Sequence, residues 1–212
     1  MLDRALVIVD VQNDFLPGGS LPVPYGDEVI DVANRAACYF REVVATQDWH
    51  PQNHVSFAVN HPGQNVGDVI KLAGGVQTLW PVHCVQDTWG AALASGLDVR
   101  SITHLVHKGT YPDVDSYSAF FDNAKEDRRT TGLGAYLRSV CAKDLYFLGL
   151  ATNFCVAASA RDALDLGFKV SILVDGCRGI DVTPDSATTL SELCQRGARL
   201  LTIEDLSAWP AD

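Results

Sequence analysis

Short runs of apolar, largely β-branched residues alternate along this chain with stretches whose apolar positions recur every three or four residues. Six runs read as strands: ALVIVD from Ala5, REVVATQ from Arg41, ITHLVH from Ile102, DLYFLGL from Asp144, KVSILVD from Lys169 and ARLLTI from Ala198. Their apolar content is nearly unbroken instead of alternating, as it must be in a strand covered on both faces. Between them VIDVANRAACYF, TGLGAYLRSVCA, CVAASARDALDLG and DSATTLSELCQRG keep helical spacing, several opened by Asp or Thr or closed by Gly. This alternation predicts βα units in a parallel sheet. No segment repeats and no Pro- or Ser-rich linker breaks the pattern, so one domain is expected over residues 1–212. Two stretches look irregular, 48–65 and 109–131. Loops of that length in a compact α/β domain usually carry function.

Open parallel sheets bind ligands beyond the carboxyl ends of their strands, which directs attention to four side chains. Asp10 ends the first strand, Asp48 follows the second, Lys108 ends the third and Cys155 opens the helix after the fourth. The first turn of a helix has unpaired N–H groups and a positive dipole end, and both favour a thiolate. The same N–H groups can receive an oxygen that turns negative when sulfur adds to a carbonyl. A cysteine followed by VAASA also suits plain packing of a helix on a sheet, so the thiol needs partners to be read as a nucleophile. Asp10 follows the buried run LVIV and needs a counter-charge; Lys108, followed at once by Gly109, is the natural one. Taken singly, the two also suit a structural ion pair at the sheet rim. With Cys155 they supply proton acceptor, stabilising charge and nucleophile.

A second cluster lies in QDWHPQNHVSF. Asp48 and His50 point the same way on an extended chain, and Pro51 with Asn53 turns the chain so that His54 returns. His83 in TLWPVHC can complete a set of first-row metal ligands; solvated loop histidines explain the spacing equally well. His104 and His107 read as packed or rim residues. Composition narrows the partners. A formal net charge of −10 with no block of Lys or Arg lacks the basic stripe that phosphate backbones need, so nucleic acid is not expected. The N-terminal MLDRALVIVDVQ turns acidic at once and its apolar run is too short for a leader or a bilayer span, so a cytoplasmic protein without membrane contact is expected. Six cysteines without CxxC spacing argue against a disulfide framework and a zinc knuckle. Cys84, beside His83, is a weaker alternative nucleophile.

The stretches VIVDVQNDFLPGGSLPV, ATQDWHPQNHVSF, LWPVHCVQ, HKGTYPDVDSYSAF, GLATNFCV and DGCRG, in this order, resemble the nicotinamidase (pyrazinamidase) branch of the isochorismatase-like cysteine hydrolases over essentially the whole chain. The resemblance implies a three-layer αβα fold with a six-stranded, mainly parallel sheet. It implies a catalytic triad of Asp10, Lys108 and Cys155, and an oxyanion hole of the Ala151 and Cys155 N–H groups. Phe15 and Trp80 would clasp a flat pyridine ring. A divalent zinc, iron or manganese ion would be held by Asp48, His50, His54 and His83. The implied reaction converts nicotinamide, and also pyrazinamide, to the acid and ammonia through a thioester. One departure is visible: the family usually carries an acidic residue and often Tyr after Ala-Thr, where this chain has Asn153 and Phe154. Two rival readings are an isochorismatase-type or other small-amide hydrolase and a non-catalytic binding module. A monomer and a small homo-oligomer fit the acidic composition equally.

Overall fold

The computed structural model describes residues 3–72, 75–180, 182 and 184–207. Among these residues the strands are β1 (Arg4–Val9), β2 (Glu42–Asp48), β3 (Val69–Leu72), β4 (Gly75–Thr78), β5 (His104–Lys108), β6 (Asp144–Leu150), β7 (Lys169–Arg178) and β8 (Arg199–Leu201). Six of them form one sheet in the order β5-β2-β1-β6-β7-β8, and every pairing in it is parallel. Val7, at the centre, sits in register with Val44 on one side and Phe147 on the other. Ala5 to Val9 are buried from both faces, which accounts for the unbroken apolar run at the start of the chain.

The helices are α1 (Val29–Ala37), α2 (Leu133–Ser139), α3 (Ala157–Asp165), α4 (Ser186–Gln195) and α5 (Ile203–Ser207). α1 packs on β6 and β7 and touches α5, while α3 packs on β7 and touches α4. α2 joins the second group, its Arg138 donating to the Leu166 carbonyl just past α3. Helices on both faces of the sheet make three layers, as expected. The chain winds outward from β1 through β2 to β5, then returns to β6 and winds the other way. The strand order therefore reverses between β1 and β6, and a crevice opens beyond their carboxyl ends.

Close approach at that crevice needs glycine. The β6–β7 register shifts between Phe147 and Gly149. Gly149 has φ +121° there, and a Cβ on it would lie 2.1 Å from the Val9 carbonyl oxygen, so only glycine brings β6 this near to the end of β1.

Two elements were not anticipated. β3 and β4 form a separate antiparallel hairpin; β3 alternates between exposed and half-buried residues, and in β4 the one buried side chain is the polar Gln77, so neither has the apolar run of a sheet strand. α5 is a five-residue helix that buries only Ile203 and Leu206. Cys155 does not open α3 itself but lies just before it, inside a π turn (Thr152–Val156) that runs directly into the helix. The turn forms because the Val156 N–H reaches back five residues to the Ala151 carbonyl, at 3.2 Å. Among the described residues, no helix is long and apolar enough to cross a membrane.

Candidate active site

The exits of β1, β2, β5 and β6 place Asp10, Asp48, Lys108 and Cys155 around one point. Lys108 is fully buried, and its Nζ lies 2.8 Å from Asp10 Oδ2 and donates to Asp48 Oδ1, to the Ser116 carbonyl at 3.2 Å and to Cys155 Sγ at 3.3 Å. Thr46 donates to Asp10 Oδ1 at 2.5 Å, and the Asp10 N–H donates to the same hydroxyl at 3.1 Å. Asp10 stands at φ 49°, a left-handed conformation uncommon for a residue with a side chain. Thr46 holds it there from the neighbouring strand. Oδ2 has the ammonium beside it but no hydrogen bond of good geometry, which leaves it the oxygen free to take a proton.

Electrostatics follow from burial. Removal from water raises the Asp10 carboxyl, and nearby Asp48 adds to this, against the pull of Lys108. Burial alone would lower Lys108, but Asp10, Asp48 and Cys155 together hold its ammonium well above the usual lysine range. Burial raises the Cys155 thiol well above its ordinary value, Lys108 opposes this, and Asp10 and Asp48 add to it. The favourable helix end foreseen for this thiol is thus outweighed by burial among carboxylates. The resting sulfur keeps its proton, and ionisation needs an acceptor at hand.

Beside this group, Asp48 Oδ2 lies 3.7 Å from His50 Nε2 and 4.0 Å from His83 Nε2. His50 Nδ1 faces the Gly109 carbonyl at 2.8 Å and His83 Nδ1 faces the Pro81 carbonyl at 2.8 Å. A carbonyl only accepts, so each Nδ1 carries a hydrogen and each Nε2 is the nitrogen turned toward Asp48, whose charge raises His50 against the effect of burial. Burial, reinforced by the neighbouring His50, lowers His83 to about 4, which keeps it neutral at pH 7. One carboxylate oxygen and two imidazole nitrogens, all within 4.8 Å of one another, fit a divalent transition cation, which displaces a proton from nitrogen when it binds. Gly109 belongs to this arrangement, because a Cβ there would lie 2.3 Å from the His50 ring.

His54 stacks on His50 with centroids 4.0 Å apart, but its Nδ1 accepts from the Ser56 N–H and its Nε2 faces the Val114 carbonyl at 3.3 Å. Its donor group is a different one, with His50 and Asp115. Residues 48–54 and 83 are thus gathered in one place, with His54 one ring further from Asp48.

A narrow pocket opens over the thiol. Phe15, Trp80, Ala151, Cys155, Asp48 and His50 are all on its wall. Phe15 leans on His83 with centroids 5.6 Å apart. Trp80 meets Phe154 edge to face at 5.1 Å and donates from its indole to the Tyr117 hydroxyl at 3.1 Å. The mainly apolar, aromatic wall suits a small flat molecule.

Sequence reasoning missed Thr46, Asp115, Tyr117 and Phe154. Asp115 and Tyr117 lie inside the long irregular stretch already marked as functional, and that was the available signal. Asp115 is tied to β4 by Gln77, which donates to it at 2.9 Å. The departure at Asn153 also has a structural explanation: its amide donates to the carbonyls of Ile180 and Pro184, both at 3.0 Å, and accepts from the Ile180 N–H at 3.1 Å. An ionised acid there has no hydrogen for the two carbonyls.

Residues 4–205 match the isochorismatase domain. The chain belongs to the isochorismatase family. It is 48% identical to the nicotinamidase of Escherichia coli K12, over 97% of each chain. The solved nicotinamidase/pyrazinamidase of Acinetobacter baumannii superposes with a TM-score of 0.94 at 41% identity, covering 97% of this chain and 99% of that one. The pyrazinamidase of Pyrococcus horikoshii, solved in complex with zinc, gives a TM-score of 0.76 at 37% identity, covering 94% and 99%.

Proposed function

We propose that this protein is a nicotinamidase, which hydrolyses the carboxamide of nicotinamide, and also of pyrazinamide, to a carboxylate and ammonia. The observation that carries the reading is the Lys108 ammonium within 3.3 Å of both Asp10 and Cys155, with Cys155 on the wall of a pocket that Phe15 and Trp80 also line, in a chain so similar to nicotinamidases along its whole length. A binding module has no need of that trio.

The chemistry runs in two halves. Asp10 Oδ2 takes the proton of Cys155, and Lys108 balances the thiolate that forms. Sulfur adds to the carboxamide carbon, and the N–H groups of Ala151 and Cys155 receive the oxyanion, each donor worth about 3 kcal/mol. The C–N bond breaks as Asp10 returns the proton to nitrogen, so ammonia leaves and a thioester remains. Water, deprotonated by Asp10, then adds to the thioester carbon; the C–S bond breaks and the sulfur recovers a proton as the acid departs. Phe15 and Trp80 hold the ring flat between them. Asp48, His50 and His83 would hold a zinc, iron or manganese ion, with His54 able to join only by turning away from the Val114 carbonyl. When bound there, such an ion would supply Lewis-acid polarisation that helps to orient the ring through its nitrogen.

The test is ammonia release from nicotinamide by wild type and Cys155→Ala. Turnover by wild type and at least a thousandfold loss in the variant are expected. Comparable rates in the two would remove the covalent route, and no turnover by wild type would leave a binding protein.

A further inference from the structure

One buried carboxylate near the pocket has no part in the chemistry above. Asp14 lies on the turn after β1 and is 6% exposed. Its Oδ2 accepts from the Cys84 N–H at 2.7 Å and its Oδ1 from the Ser20 N–H at 3.1 Å. The Cys84 N–H belongs to the peptide that joins it to His83, and the Cys84 carbonyl accepts from the His50 N–H at 3.0 Å. Cys84 itself is held at φ 45°. A short chain of bonds thus runs from Asp14 through the backbone of Cys84 to His50, with His83 attached on the way. The next residue after Asp14 is Phe15, whose ring leans on His83.

We propose that Asp14 is a positioning residue that sets the His50–His83 pair and the Phe15 wall relative to one another. The proposal rests on the cation-binding role given to those imidazoles above. Two glycines make the room it needs: a Cβ on Gly90 would lie 2.1 Å from Asp14 Oδ2, and one on Gly19 would lie 2.4 Å from the Asp14 backbone. The chemistry of the bonds calls for a carboxylate, because both partners are N–H donors and an amide offers only one acceptor oxygen. Turning the second contact into donor facing donor loosens either the His83–Cys84 peptide or the Ser20 turn behind Phe15.

The experiment compares metal-stripped wild type, Asp14→Asn and Gly90→Ala; the last keeps the charge but crowds it. Zinc affinity is read by competition with a chromophoric chelator, and KM and kcat for nicotinamide are then read with zinc restored. Both variants are expected to bind zinc about tenfold or more weakly, and to raise KM more than they lower kcat, since the reacting groups are untouched. Folded variants with zinc affinity and KM within twofold of wild type overturn this inference alone. A wild type that binds no zinc overturns the cation reading and this inference with it. Failure of both variants to fold also overturns it, by making Asp14 a residue of folding and not of positioning.

Discussion

At the scale of single residues, the site is governed by one ammonium shared among two carboxylates and a thiol. Asp10, Asp48 and Lys108 are all buried, so none has water to fall back on, and each partner's charge is tolerated only because the others are present. Removing the cation leaves two carboxylates facing each other in low dielectric. Lys108→Ala is therefore expected to lose about 3–5 kcal/mol of stability along with activity, measured by urea unfolding followed by circular dichroism. Cys155→Ala gives the contrast: it abolishes turnover but keeps both ion pairs, and its unfolding midpoint should stay close to wild type. A Lys108→Ala protein as stable as Cys155→Ala would show that the ammonium is not the counter-charge of this cluster. These three residues were legible in the sequence because each is a polar side chain at the end of an apolar run. Thr46 and Asp14 were not, because each acts through a contact made only by the fold: Thr46 on Asp10, 36 residues away, and Asp14 on Cys84, 70 residues away.

At the scale of elements, the sheet was readable because both its faces are covered, so the runs beginning at Ala5, Asp144 and Lys169 are nearly unbroken in their apolar content. The β3–β4 hairpin escaped because it is partly open to solvent and its four-residue strands mix Lys and Gln with valine. The π turn escaped because nothing in TNFCV distinguishes a five-residue return from an ordinary helical start. Its anchorage is nevertheless specific. Asn153 joins the π turn to the segment leading into α4 through three hydrogen bonds, and Ile180, one of the partners, lines the pocket. Replacing it by Ala leaves two carbonyls and an N–H to find other partners, so a loss of about 1–3 kcal/mol is expected. Asn153→Asp should be no better at pH 7, because an ionised carboxylate turns acceptors toward acceptors. Calorimetric melting of the two variants decides this; an Asp variant as stable as wild type would mean that the segment after β7 does not depend on the amide.

At the scale of the whole molecule, the strand reversal between β1 and β6 draws residues from four strand ends and two long loops into one buried polar cluster, and folding must carry the electrostatic consequence. Burial, with His50 alongside, lowers both His54 and His83 to about 4, from an ordinary value of 6.5. Between these values the unfolded chain binds protons that the folded protein refuses. The stability of the metal-free protein therefore falls as pH drops from 6.5 toward 4, by up to about 1.4 kcal/mol per pH unit for each histidine, and the effect levels off below 4, where both states are protonated. His50 acts in the opposite sense: burial works to lower it, but the Asp48 charge raises it above 6.5, so its contribution is complete below 6.5 and is lost as pH rises through its folded value. Asp10, raised by burial, likewise favours the folded state at lower pH. A difference measurement removes what is common. Urea unfolding of the metal-free wild type and of the His54→Asn/His83→Asn double variant, taken at pH steps from 6.5 to 5, should show the stability of wild type declining more steeply than that of the variant. Parallel declines would mean that these imidazoles are not kept neutral by their burial.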